Sequence, residues 1–444
     1  MNTPICDFVK RYADSGTHRL HMPGHKGVGA LGCEPLDITE IRGADSLYEA
    51  DSIIAESEQN ASFLFGSKTY YSTEGSSQCI RAMLYLCTLF AKEHGTQPSI
   101  LAARNAHKTF LGSAALLDFD IEWIFPANSD SYLSCTVDPA ILEQRLMQNA
   151  PTAVYLTSPD YLGSMADIRA IADVCHRHGV LLIVDNAHGA YLKFLPASQH
   201  PIDLGADLVC DSAHKTLPVL TGGAYLHLAP TLPAFFAAHA KAALSLFGST
   251  SPSYLILQSL DAANPYLAED YPHALSAFVP QSLQLYNHLN VHGYTTIGDE
   301  PLKLTLQTKP YGYTGVQFAD LLRKRHIECE FADPDFVVLM LTPTLGTDGL
   351  RYLEEAFLSI PQKTALISAP PRTSHPQRKM SVRDAMLSPC ETVDAEKTLG
   401  RVLAAATVSC PPAVPVAVSG EVIDERALEC FRYYGIDTCC VTKA

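Results

Sequence analysis

From Phe63 onward the chain alternates short apolar runs with segments whose apolar residues recur at helical spacing, and few folds accommodate that alternation. Ser99 to Ala102, Ala153 to Leu156, Val180 to Val184 and Asp207 to Val209 read as strands. Between the second and third runs, Ile168, Ile171, Ala172 and Cys175 repeat as i, i+3, i+4, i+7, the stripe of an amphipathic helix, with Ser164 and Asp167 in capping-box spacing ahead of it. Strands that succeed one another through helices pair in parallel, and parallel sheets are covered on both faces. The expected fold class is α/β, a mostly parallel sheet with helices on both faces, over about residues 61–270.

The flanks read differently. Residues 1–60 are rich in His, Gly and Pro without a long period, which suggests an N-terminal arm. A polar, Pro-containing stretch around Asn264 to Pro272 marks the other boundary. Helix-like Gly315 to His326 and strand-like Phe336 to Leu341 then indicate a small α/β domain over 271–365. Ser368 to Lys379 reads as a loop, and 366–444, with Cys410-Pro411-Pro412 and Ser419-Gly420-Glu421, as a C-terminal segment that closes the active site.

Composition removes several function classes. With 47% hydrophobic and 18% charged residues, no uninterrupted run of about 18 apolar residues and no leader-like start, the chain is expected to be globular, cytoplasmic and without a membrane partner. A net charge of −15 without a basic stripe speaks against nucleic acid and favours attraction of a small cation. The thirteen cysteines are odd in number and lack CxxC or metal-ligand spacing, so they read as reduced thiols, and no metal is expected.

The chemistry concentrates at Asp211-Ser-Ala-His-Lys-Thr216, where a lysine follows a strand-like run and precedes a Gly-Gly pair. A lysine so placed suits a Schiff base with an aldehyde cofactor, pyridoxal 5'-phosphate (PLP). Gly75, Ser76 and Ser77 open a helical segment and offer backbone N–H groups, hydroxyls and a positive dipole end to a phosphate, with Ser212 and His214 as further donors. Asp185 ends the run Val-Leu-Leu-Ile-Val, where its carboxylate can hold a pyridine nitrogen protonated. His107 follows the strand Ser99 to Ala102 and can lie on the ring; His188 competes for similar work.

The strings His21-Met-Pro-Gly-His-Lys-Gly27, Asp37-Ile-Thr-Glu40, Asp185-Asn-Ala-His-Gly189, Asp211-Ser-Ala-His-Lys-Thr216 and Ser249-Thr-Ser-Pro-Ser-Tyr254 resemble, in order, the bacterial ornithine/lysine/arginine decarboxylase family. The resemblance runs from about residue 18 to 262 and resumes at Pro411-Pro412 and Gly420-Glu421. It implies the aspartate-aminotransferase-like fold, fold type I of PLP enzymes, and α-decarboxylation of a basic amino acid, arginine, lysine or ornithine, within polyamine metabolism. It further implies that Lys215 carries PLP, Asp185 faces its ring nitrogen, His107 stacks on the ring with His188 near it, and Ser76, Ser77, Ser212 and His214 bind phosphate. The stretch containing Ser249 and Thr250 would enter the site of a neighbouring subunit, giving a homodimer with shared active sites, and Glu421 would meet the distal cation of the substrate. Lys215, His188 and His214 are all candidates for returning a proton to Cα.

The chain departs from the family at Asn186, where a Glu is usual, at Asp160 in Ser158-Pro159-Asp160-Tyr161, and at Cys410-Pro-Pro-Ala413. It lacks the receiver-like wing domain of the longer members, so the short, biosynthetic type is expected, without wing-dependent decamers. Two other readings stay open at this point: a fold relative that cuts another bond, such as an aminotransferase or aldolase-like lyase, and a silent paralogue acting as a binding partner.

Overall fold

The computed structural model describes residues 1–126, 131–372, 375–408 and 414–443. It contains a mostly parallel seven-stranded sheet flanked by helices. The strands are β1 Lys68–Ser72, β2 Ser99–Ala103, β3 Asp120–Ile124, β4 Ala153–Thr157, β5 Leu181–Asp185, β6 Leu208–Asp211 and β7 Ala224–Leu228. Their order is β1-β7-β6-β5-β4-β2-β3. β2 is parallel to β3 and β4, and β5 to β6; β7 runs antiparallel to both β6 and β1. β4 to β7 are buried almost throughout, which is why their sequences are near-continuous apolar runs. The edge strands β1 and β3 instead expose Lys68, Asp120 and Glu122, charges that discourage pairing with another chain.

Internal contacts divide the chain into two units, residues 1–96 with 168–274 and residues 97–167 with 275–444. The first holds β1, β5, β6 and β7. Its N-terminal residues include the helix Pro4–Asp14, whose Ile5 and Val9 are buried and whose Cys6 N–H donates to Asp261 at 2.9 Å. Asp45 takes backbone N–H groups from Ser52, Ile54 and Ala55 at the start of the helix Ile53–Phe65; burial would raise its carboxyl, and those N–H groups outweigh it and hold it low.

The stretch read as a polar boundary, Asn264 to Pro272, is largely helical: one helix spans Tyr254–Ala268 and the next Asp270–Val291. Pro272 lies in the first turn of the second, where its missing N–H has no intrahelical bond to lose. Asn264 is buried, its amide donating to Tyr71 Oη at 2.8 Å.

The second unit holds β2, β3 and β4 and a four-stranded antiparallel sheet, β8 Thr295–Ile297, β9 Lys303–Gln307, β10 Phe331–Ala332 and β11 Phe336–Met340, in the order β10-β11-β9-β8. The helix Gly315–Arg323 starts from a Thr314/Gln317 capping box. Tyr294 and Tyr311 stack beside Phe318 and Phe357, the Tyr centroids 3.9 Å apart. Cys390–Asp394 pairs with Thr438–Thr442 around a core of Leu403, Ile423, Phe431 and Val441. Cys410 to Ala413 lie outside the described residues. No helix of the described residues is long and apolar enough to cross a membrane.

Buried Asp333 yields a stability prediction. Its Oδ1 accepts the N–H groups of Asp335 and Phe336 at 2.7 Å, yet burial, with the Asp335 charge adding to it, pushes the carboxyl up to about 7. The folded state thus keeps a proton that the unfolded state releases near pH 4, and the associated stability falls as pH rises from about 4 through about 7. Asp333→Asn keeps the acceptor and removes the titration. Urea unfolding of the variant is expected to show a smaller loss between pH 4 and 8 than the parent, the difference being a few kcal/mol at about 1.4 kcal/mol per pH unit. Equal losses in the two proteins contradict this.

Candidate active site

In the first unit, β5 and β6 run parallel with Val184 opposite Val209 and Asp185 opposite Cys210, so two segments leave the sheet side by side at their C-terminal ends. That edge of an open parallel sheet is where ligands bind. One segment brings Asp185 to Gly189, the other Asp211 to Thr216.

Lys215 sits on a short helical turn, Ala213–Thr216, with its N–H on the Ser212 carbonyl at 3.0 Å. Its Nζ lies 3.1 Å from Nε2 of buried His188, close enough for an ammonium proton to pass to the imidazole and back. On the same turn, the His214 ring donates from Nδ1 to the Gly223 carbonyl at 2.9 Å, and its backbone N–H donates to that oxygen at 3.2 Å. This assigns the ring proton of His214 to Nδ1.

Asp185 is 2% exposed; its Oδ1 accepts the Ala187 N–H at 3.2 Å and the Cys210 S–H at 3.5 Å. Gly75 caps the helix Ser76–Glu93 at φ +70°, a conformation that favours glycine, and its N–H donates to the Gly222 carbonyl at 2.8 Å. Gly222, at φ +100°, passes so near Thr73 that a Cβ would stand 2.9 Å from the Thr73 carbonyl oxygen. The lysine-bearing return and the helix start are thereby held together, and Ser212 Oγ donates to Ser76 Oγ at 2.9 Å. Ser77 follows in the first turn, and the buried Thr73 hydroxyl has no partner among the described residues.

The other candidates of this unit lie in loops. Ser249 and Thr250 are exposed, and Ser249 Oγ accepts the Ser251 N–H. Their motif ends in Tyr254, which is buried and bonded to the backbone of Asp45. The first two motifs of the resemblance meet, His25 Nε2 lying 3.2 Å from Asp37 Oδ2.

In the second unit, His107 is the N-cap of the helix Lys108–Leu117; its Nδ1 accepts the Thr109 N–H at 3.2 Å, which puts the ring proton on Nε2. Glu421 is 3% exposed, its Oε2 accepting from Arg104 Nη2 at 3.0 Å and from the Val418 N–H at 2.9 Å. Burial pushes its carboxyl up, against the Arg104 guanidinium, which favours the anion. Arg104 also lies over the Trp123 ring at 5.2 Å.

Sequence reasoning passed over Arg104, in the same segment as His107, and a buried cluster of Asn186, His200, Asp211 and His227. A charged Arg directly after an apolar strand was a readable signal for the first. The members of the second are scattered along the chain, and only Asp211 and Asn186 fell inside a motif.

The groups of the first unit fit PLP. Lys215 would provide the amine, and the start of the helix at Ser76, with Ser77, Ser212 and the Thr73 hydroxyl, unpartnered among the described residues, would provide donors for a phosphate dianion. Buried Asp185 supplies an acceptor for a ring N–H.

A sequence profile described as "Orn/Lys/Arg decarboxylase, major domain" matches residues 3–291. The uncharacterized protein YaaO of Bacillus subtilis is 29% identical over 97% of this chain and 93% of its own length. An arginine decarboxylase of the same organism is 26% identical over 96% of this chain and 92% of its own. Among solved structures, a lysine decarboxylase of Francisella novicida superposes at TM-score 0.80 with 15% identity, covering 99% of this chain and 81% of that one. The constitutive lysine decarboxylase of E. coli superposes at 0.77 with 16% identity, covering 100% and 82%.

Proposed function

The chain belongs to the Orn/Lys/Arg decarboxylase family and is a PLP-dependent decarboxylase, and from that premise we propose that it converts a basic amino acid, arginine, lysine or ornithine, to the corresponding amine of polyamine metabolism. The observation that carries the reading is the amine of Lys215 beside the His188 imidazole, on a strand end adjacent to the one that carries Asp185.

When bound, PLP supplies an electron sink for the pair left behind as carbon dioxide departs. The residues of the chain supply the rest. Lys215 would hold the cofactor through its amine, with His188 Nε2 placed to take or return the proton at Nζ. Asp185 would keep the ring nitrogen protonated. Ser76, Ser77, Ser212 and His214, with Gly75 leaving the backbone open, would hold the phosphate, and His107 is assigned to the ring. Lys215, His188 or His214 would return the proton to Cα. Glu421 is assigned to the distal cation; among the described residues its carboxylate bonds to Arg104 and to the Val418 N–H fall on Oε2, so Oε1 is the atom proposed to meet the substrate.

The same reading includes a homodimer, with Ser249 and Thr250 entering the neighbour's site. The apolar side chains of Leu20, Met22, Val28 and Leu31, exposed around the first motif, support a partner surface there. It includes a cytoplasmic setting, in keeping with the unspaced cysteines, and a cofactor-binding domain over 61–270, an arm over 1–60, a small domain over 271–365 and a closing segment over 366–444.

The test is incubation of the PLP-loaded protein with each of the three amino acids, measuring carbon dioxide and identifying the amine. Arginine comes first, since relatives named for it align along nearly the whole chain. Equimolar carbon dioxide and amine from one of the three is the expected result. Release from none, with a keto acid formed instead, replaces this reading by an aminotransferase.

A further inference from the structure

Beneath the lysine-bearing turn lies a polar cluster that the reaction does not use. Asp211, the last residue of β6, is fully buried. Its Oδ2 is 3.0 Å from Nε2 of His200 and 3.0 Å from Nε2 of His227, and its Oδ1 accepts the side-chain amide of Asn186 at 2.7 Å. His200, Asn186 and His227 are themselves fully buried. The cluster runs across strands: Asn186 directly follows Asp185 at the end of β5, Asp211 ends β6, and His227 lies on β7 and reaches Thr69 Oγ1 of β1 at 2.9 Å through Nδ1. Phe65 covers it, its ring 4.4 Å from that of His227 and 5.5 Å from that of His200.

Two His and one Asp also have the make-up of a metal site. The hydrogen bonds argue otherwise. The Ile202 N–H donates to His200 Nδ1, which leaves the ring proton on Nε2, pointed at Asp211. Both imidazoles address the same carboxylate oxygen, as donors to an anion do, where a cation would need their lone pairs. Burial alone would raise the Asp211 carboxyl, but the two imidazoles outweigh it and hold it far below the ordinary range.

Asn186 shows what the arrangement is for. Its Nδ2 is committed to Asp211, while its Oδ1 is buried without a partner among the described residues, a cost that the single bond must offset. The Glu usual in the family at this position would set one carboxylate against another. The amide of Asn186 meets the Asp211 carboxylate as a donor instead.

We propose that Asp211 is a positioning residue, whose carboxylate ties the strand end bearing Asp185 to the strand end bearing Lys215 and so fixes where the amine and the ring acid stand relative to each other. This rests on the cofactor roles assigned above to Lys215 and Asp185. Asp211 touches neither cofactor nor substrate; it acts through the Asn186 bond on one side and the Ser212–Lys215 turn on the other.

The test uses purified holoenzyme and four variants: Asp211→Asn, Asn186→Asp, the double exchange Asn186→Asp/Asp211→Asn, and the milder Asn186→Ala. In Asp211→Asn, the charged acceptor shared by Asn186 and both imidazoles becomes a neutral amide; in Asn186→Asp, two carboxylates face each other. The double exchange reverses donor and acceptor, and the amide oxygen it places at position 211 can still accept from both imidazoles. Each single variant is expected to release PLP about tenfold faster or more and to move the pH midpoint of the visible absorbance of the bound cofactor. The double exchange is expected to return both to within about threefold of the parent, as a restored charged hydrogen bond would. Thermal melting of the cofactor-free proteins separates loss of fold from loss of alignment. If Asp211→Asn does not fold, Asn186→Ala carries the test, because it removes the side-chain bond to Asp211 and leaves the backbone pairing of β5 and β6. A parental midpoint and release rate in Asn186→Ala, a folded double exchange no better than its singles, or one tightly held metal ion per chain overturns the proposal. A parent protein that shows no cofactor absorbance at all contradicts the cofactor roles instead, and the two failures are distinct.

Discussion

Lys215→Ala is expected to lower kcat for decarboxylation on the order of 10^4-fold or more, as removal of a covalent catalyst does elsewhere. The visible absorbance of the bound cofactor should vanish with it, while the melting temperature of the cofactor-free protein stays near that of the parent. The physical basis is local. The lysine is anchored through its backbone to Ser212, its side chain carries the amine to within 3.1 Å of His188, and no other lysine shares the 212–223 return. Alanine removes the amine and leaves the turn, whose bonds are made by the backbone and by His214. A variant that retained the absorbance, or more than about a hundredth of the activity, would assign the amine elsewhere.

Asp185→Asn is the second large effect, with kcat expected to fall roughly 10^2- to 10^3-fold, the range seen when one electrostatic partner of a developing charge is removed. The replacement is isosteric and retains an oxygen for the Ala187 N–H, so the fold has little reason to change. What it loses is the negative charge proposed to keep a proton on the ring nitrogen. Activity within a few-fold of the parent, measured under saturating PLP, would remove Asp185 from that role.

The parts of this fold that could be read from the sequence are those where burial is complete. β4, β5 and β6 are shielded on both faces, so their apolar runs are uninterrupted and the carboxylate or hydroxyl that ends each run stands out. β1, β3 and β7 were not read as strands. Lys68-Thr-Tyr-Tyr-Ser72 and Asp120 to Ile124 lie on sheet edges and mix exposed with buried positions, and β7 carries His227 inside an otherwise apolar stretch. The two prolines at 265 and 272 read as a break, whereas the helices around them absorb one in the interior and one in a first turn.

The site divides in the same way. Lys215, His188 and Asp185 lie within a few residues of strand ends, and strand ends are visible in sequence. The Arg104–Glu421 pair and the cluster around Asp211 are made by residues distant along the chain, and no spacing encodes such meetings. Asp211 is instructive because it sat inside a recognised motif. Its side chain points down among the strands, a direction that only the pairing of β6 with β5 and β7 reveals.

The reversal of β7 against β6 has a consequence for engineering. A parallel neighbour would be reached only through a long crossover that leaves the sheet and returns. Here residues 212–223 instead join two strands that pair with each other, hanging between them like a deck between abutments, with Asp211 opposite Tyr225 at the join. Residues inserted into this span would slacken the mount of the lysine directly. Changes meant to alter the reaction are therefore better made outside this span, leaving 212–223 at its present length.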